Sequence, residues 1–333
     1  MDRPEALAET AIGAEEPWER RRALGLLARD WRADAGVRAL LRDRAVADPD
    51  GDVREATVEI LAEFETTQWL FEIVTGAADR GLRRTALVQL ARLRPAEPPV
   101  RPLVERRAAE DPDWLVRRDA TAACARAWRD LPWLLARGAA DPDHNVRRQV
   151  VHSVAELWPG DRRAGRHVRG RATGDPHAAV RHEAVFRLAE AWPGASGTAA
   201  LLRERARADP ADLVRRCAVE ALAGRAPHGP FSARRGVVAL VRERALGDPS
   251  SLVRRACLEI LAAGWTNGRG VRRLLRERAL ADPDVSVRIG AWEALARWWP
   301  EDPATAKLLR GRAAAEPDEL GRRNARRVLD DML

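Results

Sequence analysis

Lysine, tyrosine and cysteine are nearly missing from this 333-residue sequence, and each shortage excludes something. There are no tyrosines and only 4 phenylalanines, so aromatics reach 5% even with 12 tryptophans. That is thin for the core of a globular enzyme and fits an elongated helical protein rich in Ala, Leu, Arg and Glu. The 3 cysteines, Cys124, Cys217 and Cys257, are odd in number and widely spaced, with no CxxC. They form neither a disulfide framework nor a zinc ribbon, and they point to a reducing cytoplasm. Lys307 is the one lysine, so the 58 basic residues are almost all arginine. With the abundance of alanine this reads as GC-rich coding, and the net charge of +8 is weak grounds for a nucleic-acid partner. No stretch approaches the roughly 18 apolar residues of a membrane span. The opening MDRPEALAETAIGAEE has no apolar run of signal-peptide type, so a cytoplasmic protein is expected. GxxxxGK[ST], GxGxxG, HExxH and GxSxG are absent. No catalysis, cofactor or metal is therefore expected.

What is present is repetition. The phrase D-P-x-x-x-V-R recurs from Asp48, Asp111, Asp141, Asp175, Asp209, Asp248 and Asp282, with degenerate copies placed at Glu16, Asp79 and Glu316. The ten anchors are 30 to 39 residues apart and cover the chain, so the unit is one layer of a stacked array. Each unit reads as two helices. Pro one residue after the anchor (+1) stops the first, because proline disfavours α conformation in the residue before it. Asp or Ser at +2 is placed to cap the second.

On the second helix, Val at +5, a small residue at +9 and a Leu-like residue at +13 share a face, four residues apart. Position +14 is alanine in all seven full copies, from Ala62 to Ala296, which predicts close approach to a neighbouring repeat. Tryptophan at +17 (Trp128, Trp158, Trp192, Trp265, Trp299) is expected to close the core stripe. Positions +8, +11 and +15 should face outward, where they form a glutamate ridge beside an arginine row at +7.

This pattern resembles a HEAT-repeat α-solenoid. Asp at the anchor and Arg at +6 match the pair that, in that family, bonds between successive repeats. The short units resemble the bacterial class described as phycobilisome-lyase-like, and DPDxxVRRxAxxALAxxW is similar to arrays attached to NACHT-type NTPases of actinobacteria. The resemblance implies an all-α solenoid of about ten helical pairs over residues 1–333. It also implies a non-catalytic scaffold or sensor with its second helices lining a concave groove. Fold alone says little of function.

Candidate contact residues follow from what breaks the pattern. Five of the 6 histidines lie between His144 and His182. His152 at +11 and His182 at +7 fall on the expected groove, with Phe186 where glutamate is usual. With Arg148 and Trp114 they form the candidate protein- or peptide-binding set. No spacing there suits a metal. The alternative partner is nucleic acid, on the acid-free run Arg162, Arg163, Arg166, Arg169 and Arg171, with Arg234, Arg235, Arg269, Arg272 and Arg273 as later additions. Arg-acid-Arg triplets such as Arg203-Glu204-Arg205 read as solvated faces and inter-repeat pairs worth little individually. Trp298, Trp299 and Asp302 are only superficially similar to the catalytic set of HEAT-like DNA glycosylases. Nothing beyond the repeat class points to a tetrapyrrole. The segment 225–236, rich in Pro and Gly, is expected as a loop or hinge, with Phe231 as a modest contact candidate.

Overall fold

The computed structural model describes residues 4–225, 231–266 and 270–332, and among these the regular structure is entirely helical. The chain is an α-solenoid of ten helical pairs that divides into two compact units, Met1–His167 and Val168–Leu333. The first unit holds α1 (Pro4–Gly13) with α2 (Pro17–Trp31), α3 (Ala35–Ala47) with α4 (Gly51–Ala62), and α5 (Thr67–Gly76) with α6 (Arg80–Leu93). It continues with α7 (Val100–Glu110) and α8 (Trp114–Trp128), then α9 (Leu131–Ala140) and α10 (His144–Leu157). The dividing line falls within α11 (Arg162–Gly174), whose partner is α12 (Ala178–Ala191). The second unit adds α13 (Thr198–Ala208) with α14 (Asp212–Arg225), and α15 (Phe231–Gly247) with α16 (Ser251–Gly264). Its last pairs are α17 (Val271–Ala281) with α18 (Val285–Trp298), and α19 (Pro303–Ala315) with α20 (Glu319–Asp330). Within each unit consecutive second helices pack on one another, so they form a row, and α2, α4, α6, α8, α10, α14, α16, α18 and α20 also pack on their own first helix.

The core stripe lies where the periodicity predicts. The valines at +5, the small residues at +9 and the residues at +13 are all buried, from Val53, Thr57 and Leu61 to Val287, Ala291 and Leu295. Helix starts are equally local in origin. Asp50, Asp113, Asp143, Asp284 and Asp318 accept a backbone N–H of the first turn, and His177 does so through Nδ1.

The arginines stitch one repeat to the next. Arg181 Nη2 lies 2.9 Å from Asp209, Arg215 Nη2 2.8 Å from Asp248, and Arg254 Nη2 2.7 Å from Asp282. Nη1 of the same arginine donates to the carbonyls of its own anchor and the following proline, as Arg181 does to Asp175 and Pro176. From Asp111 onward a second arginine reaches the anchor acid from four residues earlier, such as Arg205 to Asp209 at 3.4 Å and Arg244 to Asp248 at 3.6 Å. The last arginine of the triplets ending at Arg205, Arg244 and Arg278 is therefore half-buried on an anchor acid.

Two degenerate units sit in a different register from the one expected. Arg20 bonds Asp48 and the carbonyls of Ala14 and Glu15; Arg83 bonds Asp111 and the carbonyls of Ala77 and Ala78. The true anchors are Ala14 and Ala77, and the acids two residues later, Glu16 and Asp79, are the N-cap residues. Asp79 also accepts Arg54, so the capping acid replaces the missing anchor acid.

The tryptophans at +17 need correction too. Only Trp192 is buried, and Trp128, Trp158, Trp265 and Trp299 are half-buried. Four of the five are the C-cap residue of their helix, with φ between −129° and −140°, so they terminate the helix, and of these Trp192 alone is also buried. Trp292 is the fully buried one, its indole donating to the Ala279 carbonyl at 3.0 Å. The segment 225–236 is helical from Phe231 onward, where α15 begins. Residues 226–230, the side chains of Phe231, Arg234 and Arg235, and Arg269 lie outside the described residues.

Candidate interaction surface

The exposed side of the second-helix row is built from positions +11 and +15. Glu59, Glu63, Glu156, Glu190, Glu220 and Glu259 are exposed there. Position +8 contributes less: Cys217, Ala256 and Gly290 are buried, and Asp119 and Glu183 are half-buried. The expected acidic ridge is present but tied down. Glu63 lies 2.6 Å from Arg92, Glu220 2.7 Å from Arg216 and Glu259 3.0 Å from Arg255. Glu293 lies 2.6 Å from Arg327 and 3.1 Å from Arg255. The surface is a lattice of opposite charges along and between helices, not a field of one sign.

The candidate binding residues lie on three helices. Arg148 and His152 are one turn apart on α10, with His152 Nε2 3.6 Å from Glu156. His182 and Phe186 are one turn apart on α12, where Phe186 is 41% exposed and the Arg187 guanidinium lies 5.1 Å from its ring centroid. Trp114 is the first residue of α8, half-buried beneath Arg118 at 5.6 Å. The first pair belongs to one compact unit and the second pair to the other. Of the remaining histidines, His177 is a helix cap and His167 is half-buried. Among the described residues no cluster of three His, Cys, Asp or Glu could hold a metal ion.

Of the five arginines of the nucleic-acid alternative, two are engaged within the fold. Arg171 lies 3.3 Å from Asp175, and Arg169 donates to Thr198 Oγ1 at 3.4 Å; both are half-buried. Only Arg162, Arg163 and Arg166 are exposed. Asp302 caps α19 by accepting the Ala304 N–H and pairs with Arg276. Burial works against its charge, but Arg276 and the Ala304 amide outweigh burial and hold the carboxyl below the ordinary range. The glycosylase-like trio thus contains a structural cap. Burial pushes the Cys217 and Cys257 thiols up to about 12, and the Cys124 thiol higher still, so none is a thiolate near neutral pH.

The sequence reading missed an open cleft on this surface. Between α6 and α8 lies an open cleft of about 540 Å³, floored by Val88, Ala91, Ala122, Ala123 and Ala127. Arg92 and Arg126 stand on its rim. At +11 it has Val88 on α6 and Ala122 on α8, where four other units carry glutamate and the units of α10 and α12 carry His152 and Phe186. A missing side chain leaves no motif, and the only signal was the run of small residues TAACARA at 121–127. A smaller cleft of about 410 Å³ lies between α14 and α16, floored by Ala223, Ile260 and Ala263 beside Trp265.

A family model described as HEAT repeats matches residues 39–125, 131–223 and 238–330. No curated protein matches the chain in sequence. Among solved structures, Escherichia coli YibA is similar at 16% identity and a TM-score of 0.51, over 86% of this chain and 98% of that one. Yeast importin-β (Kap95p) is similar at 14% identity and a TM-score of 0.56, over 99% of this chain and 50% of that one. Kap121p bound to RanGTP is similar at 14% identity and a TM-score of 0.54, over 99% of this chain and 41% of that one. The chain spans half or less of those two longer proteins, and at such identities the likeness is one of fold.

Proposed function

The chain is a member of the HEAT-repeat family, and from that premise we propose that it is a non-catalytic scaffold binding a protein or peptide partner through its row of second helices. The observation that carries this reading is the exposed face of that row, where apolar clefts open inside a lattice of paired glutamates and arginines. Mixed, already paired charge suits a protein surface of mixed charge. A phosphate backbone calls for an unbalanced basic surface. Some fold neighbours bind proteins: Kap121p is bound to RanGTP in one structure and to the extreme C-terminus of the phosphatase Cdc14p in another. No helix among the described residues is long and apolar enough to cross a membrane. A cytoplasmic recognition module in signalling or defence, as the resemblance to NACHT-attached arrays implies, is the setting that fits.

The second reading, nucleic-acid binding, rests on exposed Arg162, Arg163 and Arg166. Titration with labelled duplex DNA and single-stranded RNA at about 50 and about 200 mM salt separates the two, because each phosphate contact steepens the salt dependence. Weak binding that vanishes at the higher salt is expected. Submicromolar binding that survives it would overturn the scaffold reading.

A further inference from the structure

The two arginines on the rim of the α6–α8 cleft are held unequally. Arg92 is occupied: Nη2 lies 2.6 Å from Glu63 and Nε donates to Gln89 at 2.9 Å. Arg126 has its nearest carboxylate, Glu156, at 3.8 Å, and makes no hydrogen bond among the described residues. Its side chain is 60% exposed. The one acid lining the cleft, Asp119, is already engaged by Arg118 at 2.7 Å. Both rim arginines lean toward acids on the outer helices, α4 for Arg92 and α10 for Arg126, and the apolar floor between them stays open.

We propose that this cleft takes a large aliphatic or aromatic side chain from an acidic peptide segment, whose neighbouring carboxylate is received by Arg126. The proposal rests on the protein-scaffold reading and names the chemistry of its partner. The volume is that of a small-ligand site, with room for an apolar side chain and part of its backbone. The floor of Val88, Ala91, Ala122 and Ala123 offers no polar group to pair, so a polar side chain lodged there loses its water without replacement. A guanidinium with open donors beside that floor matches a planar carboxylate in two parallel hydrogen bonds, which a lysine or an amide on the partner does not supply. Where +11 is glutamate, as at Glu220 beside the α14–α16 cleft, the negative charge disfavours an acidic segment.

Selection of random peptides displayed on phage against the full chain tests this. Enriched peptides should carry Leu, Ile, Met or Phe within two positions of Asp or Glu. A synthetic copy of an enriched peptide should lose about tenfold or more of its affinity for Arg126→Glu, the scale expected when a charge-assisted contact is removed. Val88→Glu should do the same, and it places at +11 the residue that Glu59 and Glu220 already occupy, so the fold accommodates it. Unchanged helicity by circular dichroism confirms that both variants fold. Arg297→Glu, at +15 on α18, should bind as the wild type does. Basic enriched peptides, or acidic ones that bind both cleft variants with wild-type affinity, would overturn the cleft proposal and leave the scaffold reading standing. No enrichment of any peptide would overturn both.

Discussion

At the residue scale the chain is organised by buried ion pairs. The Asp209 side chain is fully buried, and Arg181 and Arg205 both reach it. Such a pair is a weak source of net stability, yet removing one partner strands a charge in the interior, at a cost of about 3–5 kcal/mol. Arg181→Ala is therefore expected to lower stability by roughly 3 kcal/mol in urea unfolding. Arg216→Ala, which removes an exposed pair with Glu220, should cost less than about 1 kcal/mol. Equal losses would contradict the assignment. The same site sets an acid limit. Burial opposes the Asp209 charge, but the hydrogen bonds from Arg181 and the Ala211 amide outweigh it and hold the carboxyl below its ordinary value. A depressed folded value contributes stability that is complete above the unfolded value, about 3.9, and fades as pH falls through the folded one. The melting temperature should be flat from about pH 7 to about pH 5 and fall below about pH 4. Asp209→Asn should melt lower at neutral pH and lose less on acidification. Histidine-like loss between about pH 6 and pH 7 would contradict this.

At the element scale, helix packing depends on exchanges of volume that single positions hide. Position +9 is small in most units but is Val150 on α10, and Gly138 on α9 faces it. A Cβ at Gly138 would stand 2.6 Å from Val150 Cγ1 and 3.0 Å from its Cβ. The corresponding residue in neighbouring pairs is alanine, Ala108 and Ala172, both fully buried. Gly138→Ala should thus destabilise despite alanine's better helix propensity, by roughly 1–3 kcal/mol for overpacking. Adding Val150→Ala should restore much of the loss, measured as a double-mutant cycle in urea. Additive losses would refute the exchange. Most helices were legible in the sequence because their signals are local: proline at +1, a capping Asp at +2, apolar residues every fourth position. The register of the units at Ala14 and Ala77 was not, because an acid in the capping position looks the same as an acid at the anchor. Only the arginine's choice of carbonyls distinguishes them.

At the scale of the whole molecule, the net charge of +8 overstates the free positive surface. Much of the arginine is spent on anchor acids and on the glutamates of the second-helix row. Composition cannot reveal this, because ion pairing depends on which helix stands beside which. The candidate site was less legible than the fold for the same reason. Phe186 and Arg148 are exposed as expected, but the α6–α8 cleft is floored largely by alanines, whose meaning appears only when two helices are set side by side.

Site-specific photo-cross-linking tests the central claim, that partners engage the second-helix row, most directly. A photoreactive phenylalanine analogue would replace Phe186 on that row, or Leu246, an equally exposed residue in the last turn of α15. The full chain would then be irradiated with extract of its own host cell. A discrete protein adduct from position 186, absent from position 246, is the predicted result. Adducts from position 246 alone, or nucleic acid as the only species attached at position 186, would contradict the account.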